Sequence, residues 1–280
     1  MTVKFVTSHP MDKYLRTERL PHIWCPGCGV GSVFDAFLHA VDSLGIDPNK
    51  LYIVSGIGCT GRAAGYAKFD SFHTTHGRPI PFAVGLKQVR PDLHVVVMSG
   101  DGDLFSIGGN HFVHAARRNN DILVVAMNNF TYGMTGGQVA PTTPTGTRAT
   151  TSPYGNLEHH LNLPYFAAAC GATYVARWSS LHVRRLKDSF EEALQRKGFR
   201  FIEAIGPCPT AWGRINAVRE GIDMMRYLRD NTEIRDFEDP KNVGFRWGEK
   251  IIVGKFKDEE KPTFEESMAE LREKLRRGLK

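Results

Sequence analysis

Apolar residues along this chain come in short, nearly unbroken runs separated by segments with a helical period. Leu51–Val54, the valine-rich His94–Met98, Ile122–Met127 and Phe201–Ile205 are such runs, and Tyr174–Ala176 is a shorter one. A strand with one solvated face alternates polar and apolar residues, whereas a strand covered on both faces does not. These runs therefore predict a mostly parallel sheet buried between helices. Between them, Val33, Phe34, Phe37, Val41 and Leu44 make one face of a helix that Ser32 can cap. Phe105–Arg118, Pro164–Ala169 and Leu181–Arg196 read as further helices. The β-α-β-α-β alternation predicts an α/β fold.

The flanks differ from this core. Residues 1–22 are polar and irregular and read as an N-terminal arm, residues 23–221 as the main domain, and residues 222–280 as a charged, irregular C-terminal extension suited to an interface. Within that extension Thr263 and Glu266 have capping-box spacing. The following Phe264, Met268, Leu271 and Leu275 form a stripe that fits either a partner or the chain's own body. Residues 134–156 are rich in Thr, Gly and Pro, and a loop of that length with no element of its own is functional or disordered.

Composition narrows the class. With 41% hydrophobic and 24% charged residues in 280, the chain is an ordinary globular protein of one large domain or two small ones. The net charge of +6 leaves 36 basic residues mixed with 30 acidic ones. The excess lies in pairs such as Arg117-Arg118, Arg184-Arg185 and Arg276-Arg277, not in a run that would track nucleic acid. Such charge suits a solvated surface or a weakly basic face toward an acidic redox partner. No segment nears the roughly 20 apolar residues that span a bilayer, and residues 1–20 lack a signal-like apolar core, so a cytoplasmic location is expected. Five cysteines in a reducing compartment point to metal binding or free thiols, not disulfides.

The most specific chemistry begins at Ser99-Gly100-Asp101-Gly102-Asp103, directly after one apolar run, and ends at Asn128-Asn129, directly after the next. The carboxyl ends of adjacent parallel strands form the crevice where α/β proteins bind ligands. Mg²⁺ takes hard oxygen ligands, commonly shared with phosphates, and Asp101 and Asn129 supply a carboxylate and an amide oxygen. The glycines let backbone N–H groups approach a diphosphate beside a helix start.

This pairing resembles thiamine diphosphate enzymes. Its continuation, Tyr132-Gly133-Met134-Thr135-Gly136-Gly137-Gln138, resembles the beta subunits of 2-oxoacid:ferredoxin oxidoreductases. So do Trp24-Cys25-Pro26-Gly27-Cys28-Gly29, Gly56-Ile57-Gly58-Cys59 and His76-Gly77-Arg78, and the cysteine motif is most similar to the 2-oxoglutarate branch. The resemblance covers roughly residues 22–215 and implies a three-layer thiamine diphosphate-binding fold. It implies Mg²⁺ held by Asp101, Asn129 and the backbone carbonyl of Thr131. Gly100, Gly102, Asp103, Gly133, Met134 and Thr135 would lie against the cofactor, with Gly58, Cys59, Thr60 and His76 facing it. It also implies Arg62 near the substrate carboxylate, a reading that competes with a plain surface arginine, as His76 competes with a structural loop histidine.

The same resemblance makes Cys25, Cys28, Cys59 and Cys208 the ligands of a [4Fe–4S] cluster. Four thiolates also suit structural zinc, and it is the thiamine motif that favours iron–sulfur. Cys170, in Ala167-Ala168-Ala169-Cys170, reads as a small core residue. The implied activity is oxidative decarboxylation of a 2-oxoacid, with 2-oxoglutarate favoured over pyruvate or branched-chain acids. Electrons would leave through the cluster to ferredoxin, and the acyl group would pass to coenzyme A. An alpha subunit would bring the pyrimidine-binding domain and its glutamate, and some relatives carry small extra subunits. Two rivals remain at this stage: a non-redox thiamine diphosphate decarboxylase with structural zinc, and a non-enzymatic electron-transfer subunit.

Overall fold

The apolar runs become the centre of one eight-stranded sheet in a computed structural model that describes residues 9–218 and 220–278. The strands are β1 (Leu51–Ser55), β2 (Asp70–His73), β3 (His94–Gly100), β4 (Leu123–Asn128), β5 (Tyr174–Ser179), β6 (Arg200–Ile205), β7 (Thr232–Ile234) and β8 (Ile251–Asp258). Their order is β2-β1-β3-β4-β6-β5-β8-β7, and every pairing is parallel except the antiparallel β5–β8 contact. β4, β5 and β6 are buried at every position, which is why their sequences carry no alternation.

The helices are α1 (Val30–Ser43), α2 (Ala63–Tyr66), α3 (Pro79–Val89), α4 (Gly109–Arg117), α5 (Leu163–Ala169), α6 (Val183–Gln195), α7 (Gly221–Asn231) and α8 (Phe264–Arg276). α1 and α6 cover one face of the sheet, where Phe37 and Phe190 meet edge to face at 5.6 Å. α3, α4 and α5 cover the other, where Phe112 packs among Phe105, Phe166, Phe199 and Phe201. This is the expected α/β fold in three layers.

Several boundaries differ from the sequence reading. α1 starts at Val30, before Ser32; Gly29 caps it with φ +78°, and a side chain there would collide with Ser180. The turn carrying Cys25 and Cys28 therefore runs straight into the helix. The helix expected over 105–118 is split into a π-helical turn, Asp103–Ile107, and α4. β2 and α3 carried no sequence signal strong enough to name them.

The largest correction is at the C-terminus. Residues 222–280 are not irregular: α7, β7 and β8 lie there, and β8 pairs with β5 inside the sheet. Lys255 and Lys257 alternate with buried Phe256, so the charge that suggested a loop belongs to the outward positions of a strand. The described part of the N-terminal segment is pinned as well. Met11 and Tyr14 are buried in the core, and Leu15 bridges to Ala67; residues 1–8 lie outside the described residues. α8 opens with the expected capping box, and Glu265 accepts from Asn120 Nδ2 at 2.8 Å and from Asp121 N at 3.0 Å. Of the expected stripe, Leu271 and Leu275 remain exposed.

Candidate active site at the carboxyl ends of the strands

β3 and β4 are register neighbours, with Gly100 beside Met127, so Asp101 and Asn129 emerge side by side from adjacent strands. The Asn129 amide oxygen lies 2.6 Å from the Thr131 carbonyl oxygen and 3.2 Å from Asp101 Oδ1. Three oxygens therefore face one another. Rotating the amide would let its NH₂ donate to both neighbours, which suits a metal-free chain. A hard divalent cation holds the same three oxygens with the amide oxygen turned inward. Burial pushes the Asp101 carboxyl up to about 7, although Thr142 and backbone N–H groups hydrogen-bond to it. A fully buried acid at that value is relieved by a positive charge beside it. The donor set therefore fits Mg²⁺.

Much of the support for this point comes from the Thr-rich loop, which is ordered. The buried Thr142 hydroxyl donates to Asp101 Oδ2, and Thr143 Oγ1 donates to the Phe130 carbonyl at 2.7 Å. Thr131 Oγ1 donates to the Gln138 carbonyl at 2.8 Å. Thr142 and Thr143 were not picked out from the sequence; the unusual threonine content of 134–156 was the available signal.

Ile57, Gly58, Cys59, Thr60, His76, Gly100, Asp101, Gly102, Asp103, Asn129, Thr131, Tyr132, Gly133, Met134 and Thr135 line one cavity of about 230 Å³. Every residue that the sequence assigned to the cofactor is in that lining; Ile57 and Tyr132 are additions. The Tyr132 ring packs on Gly102, where any side chain would collide with it. The Asp103 carboxylate is committed to protein partners. Its Oδ1 lies 2.6 Å from His76 Nδ1 and accepts from Gly77 N at 2.7 Å, while Oδ2 accepts from Ser99 Oγ at 2.8 Å. Asp103 thus fixes the His76 ring through Nδ1 and leaves Nε2 as the nitrogen able to meet a ligand. Thr135 Oγ1 donates to Gln138 Oε1 at 2.7 Å, on the exposed rim. Arg62 does not line this cavity. It is exposed in an adjoining hollow with Arg16, Arg19 and His73, which holds no carboxylate.

Cys25, Cys28, Cys59 and Cys208 gather against one side of the same cleft. Burial pushes the Cys28 thiol up to about 11, and Cys25, Cys208 and Cys59 are close enough to add to the shift. Burial likewise raises Cys59, with Cys208 and Cys25 as neighbours. Trp24 Nε1 donates to the Cys59 carbonyl at 2.8 Å, tying the two cysteine segments together. Ala211 N donates to Cys208 Sγ at 3.3 Å. Among the described residues, no three His, Cys, Asp or Glu side chains close at the spacing of a single metal ion. One hydrogen bond and one close approach tie this group to the cofactor cleft. Cys208 N donates to the Asn129 carbonyl at 3.0 Å, and a methyl at Gly133 would sit 3.4 Å from Cys208 Sγ. Cys170 lies apart, half-buried at the end of α5.

Comparison with known proteins decides the family. Residues 51–204 match the thiamine pyrophosphate enzyme C-terminal TPP-binding domain. The chain is 52% identical over 272 residues to 2-oxoglutarate synthase subunit KorB of Methanocaldococcus jannaschii, covering 96% of this chain and 99% of that one. It belongs to the 2-oxoacid:ferredoxin oxidoreductase beta-subunit family. The KorB of Archaeoglobus fulgidus is 45% identical, with 95% of each chain covered. A solved 2-oxoglutarate:ferredoxin oxidoreductase from Magnetococcus marinus, with 2-oxoglutarate, coenzyme A and succinyl-CoA bound, superposes with a TM-score of 0.85 at 34% identity. The match covers 97% of this chain and 92% of that chain. As a beta subunit, the protein has an alpha-subunit counterpart in its family. Among the described residues no helix is long and apolar enough to cross a membrane.

Proposed function

We propose that this chain is the beta subunit of a 2-oxoglutarate:ferredoxin oxidoreductase. It would bind thiamine diphosphate and Mg²⁺ in the cleft and a [4Fe–4S] cluster on Cys25, Cys28, Cys59 and Cys208. The observation that carries this reading is the bond between the two sites. Asn129 offers its side chain to the cation and its carbonyl to Cys208 N, so a redox centre on the thiols abuts the cofactor. A decarboxylase with structural zinc has no use for that adjacency.

When bound, thiamine diphosphate supplies the electron sink that lets a 2-oxoacid lose CO₂. The protein's part is to bind and orient. Asp101, Asn129 and the Thr131 carbonyl hold the cation. Gly102 and the π-helical turn after it offer N–H groups to the diphosphate. His76, fixed by Asp103, presents Nε2 for proton exchange with substrate. Arg62 lies outside the cofactor cavity in a hollow with Arg16, Arg19 and His73, and this positive charge would suit the second carboxylate of a dicarboxylic 2-oxoacid, favouring 2-oxoglutarate over pyruvate. The cavity is smaller than the roughly 300–1,000 Å³ of a complete ligand site, which supports an alpha subunit closing it. A reducing cytoplasm suits the thiol set.

The test is to produce the chain anaerobically with and without its alpha subunit. Iron, sulfide and thiamine are measured, then ferredoxin reduction with coenzyme A and a panel of 2-oxoacids. The complex is expected to hold iron and sulfide in equal amounts and to turn over 2-oxoglutarate fastest, with no turnover by the chain alone. Zinc in place of iron, or full turnover without the partner, would overturn the reading.

A further inference from the structure

Phe130 stands between two of the three cation-facing groups, Asn129 and Thr131, and its backbone is in the left-handed region at φ +65°. A bulky, fully buried residue does not adopt that conformation unless its surroundings enforce it. The enforcing contact is local: Phe130 N–H donates to Asn128 Oδ1 at 3.3 Å. Asn128 is itself held from outside the loop, because its Nδ2 donates to Glu203 Oε1 at 2.7 Å. The other Glu203 oxygen accepts from Arg177 Nε at 2.6 Å, and Arg177 Nη1 donates to the Val243 carbonyl at 2.6 Å. Asn128, Glu203 and Arg177 lie on β4, β6 and β5 and are almost completely buried. A second contact closes the circuit. The Arg177 guanidinium stacks 5.6 Å over the Phe245 ring, which packs 5.8 Å from the Phe130 ring.

A buried ion pair is seldom retained for stability alone, since apolar residues of like volume usually do as well. Here the pair has an asymmetric outlet. Glu203 accepts from Asn128, which commits the Asn128 oxygen to Phe130 N–H and so sets the turn that aims Asn129 Oδ1 and the Thr131 carbonyl at Asp101. We propose that Glu203, backed by Arg177, is a positioning residue for the cation site, acting through the orientation of the Asn128 amide. The inference rests on the cation reading above.

Glu203→Gln is nearly isosteric but puts a carboxamide NH₂ against Asn128. That amide must then invert and present its own NH₂ to Phe130 N–H. Exchanging both, Glu203→Gln with Asn128→Asp, restores an acceptor for both donors and keeps the buried net charge. The measurement is Mn²⁺ affinity by electron paramagnetic resonance, on the complex with its alpha subunit and saturating thiamine diphosphate. Melting temperature in EDTA is read beside it. Glu203→Gln is expected to weaken Mn²⁺ binding by roughly 10–100-fold, and the double exchange to restore it. Asn128→Asp alone adds negative charge but sets two carboxylates face to face. Weaker binding supports positioning, and tighter binding would show that charge alone acts and would overturn it. Should Glu203→Gln fail to fold, Arg177→Met with Glu203→Leu removes the ion pair as a unit and takes away the acceptor that orients the Asn128 amide. Wild-type affinity in whichever of these folds would end the proposal. Failure of the wild-type complex itself to bind Mn²⁺ would remove the cation reading, and the inference with it.

Discussion

Asp101→Asn should stabilise the metal-free protein while abolishing its metal site. In the folded chain the Asp101 carboxyl is raised from 3.8 to about 7, chiefly by burial. A shift of about three units corresponds to roughly 4 kcal/mol between the protonation states. The sign follows from proton uptake. Between pH 4 and 7 the folded chain keeps a proton on Asp101 that the unfolded chain has lost, so folding stability falls as pH rises through that window. Below pH 4 both states are protonated and no penalty exists; above pH 7 it is complete. A carboxamide carries no charge and can donate to Asn129 Oδ1, so the variant should escape the penalty. With EDTA present, its melting temperature should exceed that of wild type by a margin that grows from pH 4 to pH 7 and then levels off. Roughly 4 kcal/mol is the ceiling, since water admitted on loosening would reduce it. Mg²⁺ should reverse the order, stabilising wild type and leaving Asp101→Asn unchanged. Below pH 7, wild-type binding should release close to one proton per ion, measurable by calorimetry in buffers of different ionisation heat. A variant no more stable than wild type at pH 8 in EDTA, or Mg²⁺ uptake without proton release at pH 6, would refute the reasoning.

Thr142→Val removes the hydroxyl that donates to Asp101 Oδ2; Mg²⁺ affinity measured by calorimetry should fall roughly 10–100-fold, and an unchanged value would detach the threonine loop from the site. Serine at Cys25, Cys28, Cys59 or Cys208 should lower the iron content of the anaerobic complex, whereas serine at Cys170 should leave it intact; the reverse pattern would break the ligand set. Arg62→Gln should raise KM for 2-oxoglutarate by roughly tenfold or more, as expected for losing one charge-assisted hydrogen bond, with pyruvate kinetics little altered; equal effects on both substrates would count against the hollow as a carboxylate site. Glu265→Ala should cost roughly 1–3 kcal/mol in denaturant unfolding, because it orphans the Asn120 amide and the Asp121 N–H.

What the sequence determined by itself was local chemistry at strand ends. Fully buried strands leave unbroken apolar runs, and adjacent parallel strands must end side by side, so Asp101 and Asn129 could be paired from order alone. The four cysteines were singled out by family resemblance, and the Gly/Pro turns around them are consistent with it because tight turns leave a compositional trace. Tertiary structure decided what lies far apart in sequence. β8 was invisible because Lys255 and Lys257 dilute its apolar content; only its antiparallel place beside β5 shows that they are outward positions. Asp103 looked like a phosphate-loop residue, and its bond to His76 depends on how the 76–78 turn packs on the start of α4. The bonds of Thr142 to Asp101, Glu203 to Asn128 and Arg177 to Glu203 span 41, 75 and 26 residues. Their partners are chosen by burial, since a buried acceptor or charge must be satisfied by whatever the fold brings beside it. Single-residue types at such distances carry no periodic or spacing signal, so the sequence marks candidate ligands but not the groups packed behind them.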